Sequence, residues 1–300
     1  MSQKLVLIKQ SVCEFKRACL ENPFLDLNEA HKLFILQVFS GLKKSGTFDG
    51  LSKDEDKTIE QTLRLLGALG VAYRLKDVGH NIKIFFAQEK TIAQDLYVLY
   101  DRVARSGHSR ARYAELLGYP SCCIRSYVSQ KKQGLLFGYL TTVFKKRIKG
   151  QALSWPVLFN RFSDLPLIFH WPCGFHCRAS RDLAGRVLKL YTCYDRALAE
   201  TAARLLKRPV LIFQDGSYIR FEGVYRGRTL SYGQIIRIGS SVAVEEGLSK
   251  ERNAVACAVR CIARGEKILF EESTFRVINN KKVLFESRNA KNQYLLLNFN

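Results

Sequence analysis

The segment HWPCGFHCRAS, residues 170–180, combines two cysteines with a proline and a glycine just before a helical pattern. Pro172 and Gly174 place Cys173 in a loop, and Cys177 falls where a helical pattern begins. The unpaired N–H groups and the dipole at a helix N-terminus favour a thiolate over a thiol. The segment therefore predicts two cysteines, one in a turn and one at a helix start, that can act as ligands or as reactive thiols.

A second cysteine segment precedes it in the chain, where residues 116–123 are LLGYPSCC. Pro120 predicts a turn that delivers Cys122 and Cys123 to the start of a helix. Basic side chains close in sequence to both segments favour the thiolate further. Thiolates are the ligands that soft metal ions and iron–sulfur clusters require. We predict that the two segments meet and that their sulfurs share one metal ion or cluster.

The two segments offer four cysteines and two histidines as ligands. The spacing is not that of a zinc ribbon or finger, because Cys122 and Cys123 are adjacent. Three cysteines around an iron–sulfur cluster would leave one iron open, whereas four zinc ligands would form a closed structural site. The predicted metal ligands, with the cysteines ranked ahead of the histidine, are Cys122, Cys123, His170, Cys173 and Cys177.

The pattern leaves two alternatives open for these thiols. Adjacent cysteines at a helix start point in different directions, so one of them can pack or react instead of ligating. Cys123 is accordingly the candidate catalytic thiolate. The other alternative is that all of these cysteines are small buried residues that only pack. The remaining five cysteines lie in helical patterns and are assigned to packing.

The charge distribution points to an anionic partner. The chain holds 48 Lys and Arg against 27 Asp and Glu, a net charge of +21, and residues 101–210 alone carry 20 basic and 6 acidic side chains. Such a field favours a nucleic acid, with tRNA as one possibility, or another polyanion. A basic surface that only confers solubility is the alternative. The candidate nucleic-acid-binding residues are Arg105, His108, Arg110, Arg112, Arg125, Arg178 and Arg181.

The apolar patterns predict an α+β fold with helix-rich N-terminal and central regions, a small sheet and a β-rich C-terminal lobe. Ser52 and Glu55 form a capping-box pattern, and a hairpin is predicted from residues 71–75 and 82–86. One long helix is predicted over residues 181–206, and hairpins follow in the C-terminal part. We expect three regions: a helix-rich N-terminal lobe (1–84), a central cysteine-motif domain (85–208) and a C-terminal β lobe (209–300).

Several classes of protein are excluded by what the sequence lacks. It contains no run of about 18 uncharged apolar residues, so we expect no membrane-spanning helix. The first residues lack the pattern of a secretory signal, and we expect a cytoplasmic protein. P-loop, GxGxxG, GxSxG and HExxH motifs are absent, which argues against common nucleotide-dependent enzymes, serine hydrolases and zinc proteases.

At the cysteine segments the chain resembles the prokaryotic family named domain of unknown function 483. Its members show GYPxCC, then NxF, then HxPCxxxCxxS leading into a helix. The matching residues here are 118–123, 160–162 and 170–180, and the resemblance covers roughly residues 85–210. Residues 174–176 depart from the polar or acidic residues expected there. The resemblance names no reaction and implies that Cys122, Cys123, His170, Cys173 and Cys177 belong to one site.

Three functions follow as hypotheses, and whether the protein is an enzyme stays open. The first is a cysteine-ligated metalloprotein, with an iron–sulfur cluster as cofactor, whose basic surface receives an anionic partner for RNA modification or sulfur transfer. In that case the open iron or a free Cys123 thiolate does the chemistry. The second is a zinc-stabilised, non-enzymatic nucleic-acid-binding protein. The third is a metal-free thiol oxidoreductase.

Overall fold

A computed structural model describes residues 3–22, 27–103, 106–132, 153–174, 176–213, 217–240, 249–271, 274–287 and 294–299. The fold is α+β as predicted, with helices and a small sheet in the N-terminal and central parts and a β-rich C-terminal part. In the described part of the chain, no helix has both the length and the apolar character needed to cross a bilayer. The chain forms two compact units, which we call unit 1 (Met1–Gln133 and Leu167–Thr201) and unit 2 (Gly134–Pro166 and Ala202–Asn300).

Within the described residues the α-helices are α1 (Gln3–Leu20), α2 (Glu29–Phe39), α3 (Asp56–Ala68), α4 (Lys90–Val103), α5 (Gly107–Leu116), α6 (Ser121–Lys132), α7 (Arg178–Tyr194), α8 (Arg196–Leu206) and α9 (Ser249–Arg264). The strands are β1 (Ser45–Ser52), β2 (Ala72–Val78), β3 (Asn81–Ala87), β4 (Leu153–Trp155), β5 (Val210–Phe213), β6 (Ser217–Arg226), β7 (Thr229–Ser240), β8 (Lys267–Phe270), β9 (Phe275–Asn279), β10 (Lys282–Ser287) and β11 (Tyr294–Phe299).

Unit 1 contains a three-stranded antiparallel sheet in the order β1-β3-β2. The predicted hairpin is β2–β3, whereas β1, with the sequence SGTFDGLS, was not predicted because it is rich in glycine. Gly46 suits its place because a Cβ there would lie 2.4 Å from Cζ of Phe86. The Phe86 ring also packs on Phe34, with centroids 5.4 Å apart, and stacks on Phe48 at 5.1 Å. Tertiary packing against these rings therefore outweighs the weak β-propensity of β1.

Two predicted helix ends differ from the structure. Ser52 accepts the N–H of Asp54 and caps a short 3-10 turn, Lys53–Glu55, which leads into α3. The single long helix predicted over residues 181–206 is wrong, because it is interrupted at Asp195, whose backbone is extended (φ −156°, ψ 119°). The Asp195 carboxylate accepts the N–H of Leu198 at 2.9 Å and so opens α8 as a new helix.

Unit 2 is built on an eight-stranded sheet in the order β10-β9-β8-β7-β6-β5-β11-β4. Neighbouring strands are antiparallel, except that β11 and β4 run parallel. The predicted β9–β10 hairpin turns at Asn280 and Lys281, both with positive φ (47° and 67°). Side chains of the sheet and of α9 share one apolar core, formed by residues such as Leu211, Phe221, Ile262 and Val277.

Of the two predicted region boundaries, one falls inside a strand and the other falls between a helix and a strand. The 84/85 boundary lies within β3, in unit 1, and α4, which follows β3, packs on the same small sheet. The 208/209 boundary lies in unit 2, between α8 and β5, where helical structure gives way to strands.

Candidate metal centre

The first cysteine segment is positioned by the end of α5. Gly118 adopts a left-handed conformation (φ +75°), which favours glycine. Its N–H donates to the Glu115 carbonyl at 3.0 Å, and the Tyr119 N–H donates to the Ala114 carbonyl at 3.1 Å. This pair of bonds is a Schellman motif, and it stops α5 sharply. The sequence LGYP therefore sets the direction in which the chain enters the next helix.

Pro120 then opens α6. Its carbonyl accepts the N–H groups of Cys123 and Ile124 at 2.9 and 3.0 Å. Cys122 and Cys123 consequently lie in the first turn of α6, as predicted from the proline turn. Cys123 is buried and Cys122 is half-buried.

The second cysteine segment forms a turn before α7. The Cys177 N–H donates to the Gly174 carbonyl at 3.2 Å, and the Cys177 carbonyl accepts the N–H of Arg181 at 3.0 Å. Cys177 is thus the N-cap of α7, in agreement with the prediction. Cys173 precedes the turn, and its backbone N–H donates to Sγ of Cys123 at 3.3 Å, which ties the two segments together.

The four sulfurs of the two segments form one cluster. Sγ of Cys177 lies 3.5 Å from that of Cys123 and 3.7 Å from that of Cys122, and the two adjacent cysteines are 3.9 Å apart. With Cys173 included, all four sulfurs lie within 4.8 Å of one another. The group can hold a metal ion. Both adjacent cysteines belong to it, so neither points away from the other sulfurs.

Burial and mutual contact spread the thiol pKa values of this cluster. Burial raises the pKa of Cys123, and burial with hydrogen bonds to Cys177 and Cys122 raises the pKa of Cys173 to about 11. Burial acts in the same direction on Cys177, but the Ser180 side chain and backbone and the neighbouring thiols outweigh it and lower the Cys177 pKa to about 7. The Cys177 thiol is therefore the first of the four to lose its proton, and the thiols of Cys123 and Cys173 donate hydrogen bonds to the resulting thiolate.

A second layer of side chains surrounds the sulfurs. The Ser180 hydroxyl, fully buried, lies 3.3 Å from Sγ of Cys123 and 2.8 Å from Nε2 of His170. The His170 ring packs on Tyr119 with centroids 5.1 Å apart. The four-sulfur group does not include His170, because the Ser180 hydroxyl lies between its ring and the Cys123 sulfur. His176, the other candidate histidine, is exposed.

The predicted nucleic-acid-binding residues are placed differently from one another. Arg105 lies outside the described residues, and Arg110 is half-buried, with its Nε donating to the Val103 carbonyl at 2.9 Å. The exposed ones, on α5, α6 and α7, are His108, Arg112, Arg125, Arg178 and Arg181. Arg186 and Lys189 of α7 are also exposed basic residues, and neither was among the predicted ones. The spacing of the buried residues in α7 could have placed both on its outer face.

Sequence reasoning also missed the role of Ser180 and the burial of Lys43. Ser180 is the third residue of α7, three positions after the N-cap, which is where an N-terminal helix residue reaches back to its cap. That spacing could have identified it. Lys43 carries no local sequence signal, because its burial depends on aromatic rings that are distant along the chain.

Comparison with known proteins identifies no relative. No family model, no curated protein and no solved structure matches the chain.

Proposed function

We propose that unit 1 is built around a single metal ion, zinc, bound by the thiolates of Cys122, Cys123, Cys173 and Cys177. The ion holds the first turn of α6 against the N-cap of α7. We further propose that the helices fixed in this way present their exposed arginines to a polyanion, namely RNA. The observation that carries the proposal is the mutual distance of the four sulfurs.

The sulfur spacing supports one ion in preference to a multinuclear cluster. Zinc binds thiolates at about 2.3 Å in tetrahedral geometry, so two sulfurs on one ion lie about 3.8 Å apart. The three separations among the sulfurs of Cys122, Cys123 and Cys177 are 3.5, 3.7 and 3.9 Å. A [4Fe–4S] cluster distributes its cysteines over different irons, which places their sulfurs farther apart. Four sulfurs on one divalent ion also form the closed site typical of structural zinc.

The surroundings of the sulfurs suit the charge of such a centre. Four thiolates and one Zn²⁺ carry a net charge of −2. Cys122 and Cys123 lie in the first turn of α6 and Cys177 caps α7, so two helix N-termini point their partial positive charge at the group. Exposed Arg178 follows Cys177 directly, and exposed Arg125 lies two positions after Cys123. These two side chains face solvent and are open to phosphates.

Metal analysis tests the first half of the proposal. Protein purified without oxygen is expected to contain one zinc per chain and no acid-labile sulfide. Iron and sulfide in stoichiometric amounts would overturn the zinc assignment and support an iron–sulfur protein instead. A chain that binds neither metal after reconstitution would overturn the metal centre itself.

Charge on α7 supports the second half. Between residues 178 and 194 the helix carries four basic side chains and one acidic one, Asp182, whose Oδ2 lies 3.9 Å from Nε of Arg178. An ion pair at that distance between exposed side chains is weak and leaves the arginine available. Lysine and arginine release counterions when they bind phosphates, which makes such binding dependent on salt.

Binding of a labelled tRNA transcript at several salt concentrations tests this half. Replacing Arg178 and Arg181 together by glutamine is expected to weaken binding about tenfold and to reduce the log–log salt slope by about 2. The matched control is Arg64→Gln, on α3 of the same unit, where the exposed arginine pairs with Glu60. Binding that ignores salt, or an equal loss in the control, would contradict the RNA surface. Zinc content must be unchanged in both variants.

A further inference from the structure

The Cys123 sulfur has two hydrogen-bond partners besides the neighbouring thiols. It is 2% exposed, and it receives the backbone N–H of Cys173 at 3.3 Å. The Ser180 hydroxyl is also 3.3 Å away and in turn contacts Nε2 of the buried His170 at 2.8 Å. Two donors on one sulfur disperse its charge, and partners of this kind orient metal ligands in proteins.

We propose that Ser180 and His170 form a one-way hydrogen-bond relay that positions Cys123 as the anchoring ligand of the metal centre. The inference rests on the proposed function, because it assigns positioning residues to that centre.

The direction of the relay follows from the thiolate. A metal-bound thiolate can only accept hydrogen bonds, so in the 3.3 Å contact with the Cys123 sulfur the Ser180 O–H is the donor. The same hydroxyl also reaches the Cys177 sulfur, and it can donate its proton to either thiolate. The hydroxyl has a single proton, and its oxygen must then accept from His170. His170 therefore carries its proton on Nε2 when the metal is bound. His170, which was predicted to be a metal ligand, instead donates to the Ser180 hydroxyl, which contacts the ligand sulfur of Cys123.

The relay gives the four sulfurs different roles. Cys123 is the least exposed residue of the group, and its sulfur accepts the Cys173 N–H, which suits it to hold the ion rather than to attack a substrate. Cys122 and Cys173 are half-buried and lie on the accessible side. A chelator or an electrophile is therefore expected to reach these two sulfurs first.

Cobalt substitution and competition with a chelator test the relay. Ser180→Ala is expected to weaken metal affinity 10- to 100-fold and to shift the sulfur-to-cobalt charge-transfer band, while Ser180→Thr, which keeps a hydroxyl, stays near wild type. The matched control is Ser45→Ala in the same unit, a fully buried serine whose hydroxyl donates to the Leu116 carbonyl at 2.7 Å and not to a ligand.

Two histidine variants separate donation from packing. His170→Gln keeps a side-chain N–H donor and is expected to retain most of the affinity, whereas His170→Phe keeps the ring and loses the donor and should resemble Ser180→Ala. Nitrogen-15 NMR of the zinc-loaded wild type should show the Nε2–H tautomer.

The outcomes separate failure of the relay from failure of the centre. If the wild type binds metal and Ser180→Ala matches Ser45→Ala in affinity and spectrum, the relay is wrong and the metal centre stands. A zinc-loaded wild type with its imidazole proton on Nδ1 overturns the relay in the same way, without requiring any variant to fold. If the wild type binds neither cobalt nor zinc, the proposed function is overturned, and the relay with it.

Discussion

The sulfurs of Cys123 and Cys177 lie 3.5 Å apart although 54 positions separate the two residues in the chain. One belongs to the first turn of α6 and the other caps α7, so this contact joins the starts of two helices. Bringing such distant segments together costs loop-closure entropy. An ion bound to both segments offsets that cost, and its binding free energy becomes part of the folding free energy.

Replacing one ligand is therefore expected to affect both metal content and stability. Cys177→Ser should reduce zinc from one per chain to a small fraction and lower the melting temperature by on the order of 10 °C. Cys193→Ser is the matched control, because Cys193 is a half-buried cysteine of the same helix outside the sulfur cluster. Metal analysis and thermal melting check the pair. Equal zinc in the two variants would contradict the ligand assignment.

Removal of the metal is expected to act locally. A chelator should increase amide hydrogen exchange in the first turns of α6 and α7, because the ion fixes both helix starts. The sheet of unit 2 has its own apolar core and should keep its protection. Exchange measured by mass spectrometry before and after chelation checks this. Uniform loss of protection in both units, or none in α6 and α7, would contradict a local role of the ion.

Lys43 is expected to make stability depend on pH. Its side chain is buried, with Nζ 4.5 Å from the ring centroids of Phe34 and Phe169, and burial lowers its pKa from 10.5 to about 7. Between these two values the unfolded chain binds a proton that the folded chain lacks, so the free energy of unfolding should rise with pH across that window. Below about pH 7 both states are protonated, and the cost of burying the charge is fully present.

Lys43→Met should remove that cost. We expect it to raise the free energy of unfolding at pH 7 by on the order of 3 kcal/mol, with the gain shrinking toward pH 10.5. Lys44→Met is the control, since Lys44 is the exposed neighbour. Urea unfolding at several pH values measures both. A gain that did not depend on pH would show that the amine is not buried as a charge.

The buried Arg220 of β6 is expected to be a stability determinant of unit 2. It is 2% exposed, and its Nη2 donates to both carboxylate oxygens of Asp164 at 2.7 Å. Its Nη1 donates to the Phe162 carbonyl at 2.7 Å. The Asp164 side chain is 43% exposed, so water screens part of the pair. Asp164→Ala still leaves a buried guanidinium without its counter-charge and should cost about 2 kcal/mol. Glu60→Ala breaks an exposed pair and should cost below about 1 kcal/mol. Urea unfolding measures both variants. A similar loss in the free energy of unfolding for Asp164→Ala and Glu60→Ala would contradict this role of Arg220.

Much of the fold could be predicted because its signals are local. In the β2–β3 and β9–β10 hairpins, turn residues between the two strands force a tight reversal of the chain. The spacing of apolar residues identifies α4 and α7 as helices. Strand β1 could not be predicted, since its place depends on the packing of Gly46 against Phe86. The break between α7 and α8 was missed because the apolar stripe continues past Asp195, whose capping bond is the only local sign.

The cysteine group could be predicted for a different reason. A turn that contains proline precedes each pair of cysteines, and this local pattern predicts thiols at the starts of two helices. The second layer could not be derived in the same way. The spacing of Ser180 from the Cys177 N-cap points to a contact with that cap, but its contact with Cys123 forms only when distant segments meet. The burial of Lys43 likewise depends on rings that are distant along the chain.

X-ray absorption spectroscopy at the metal edge of the purified protein tests the central claim most directly. The account predicts zinc with four sulfur neighbours at about 2.3 Å and no metal–metal distance. An iron edge with a short iron–iron distance, or zinc bound by nitrogen in place of one sulfur, would contradict it.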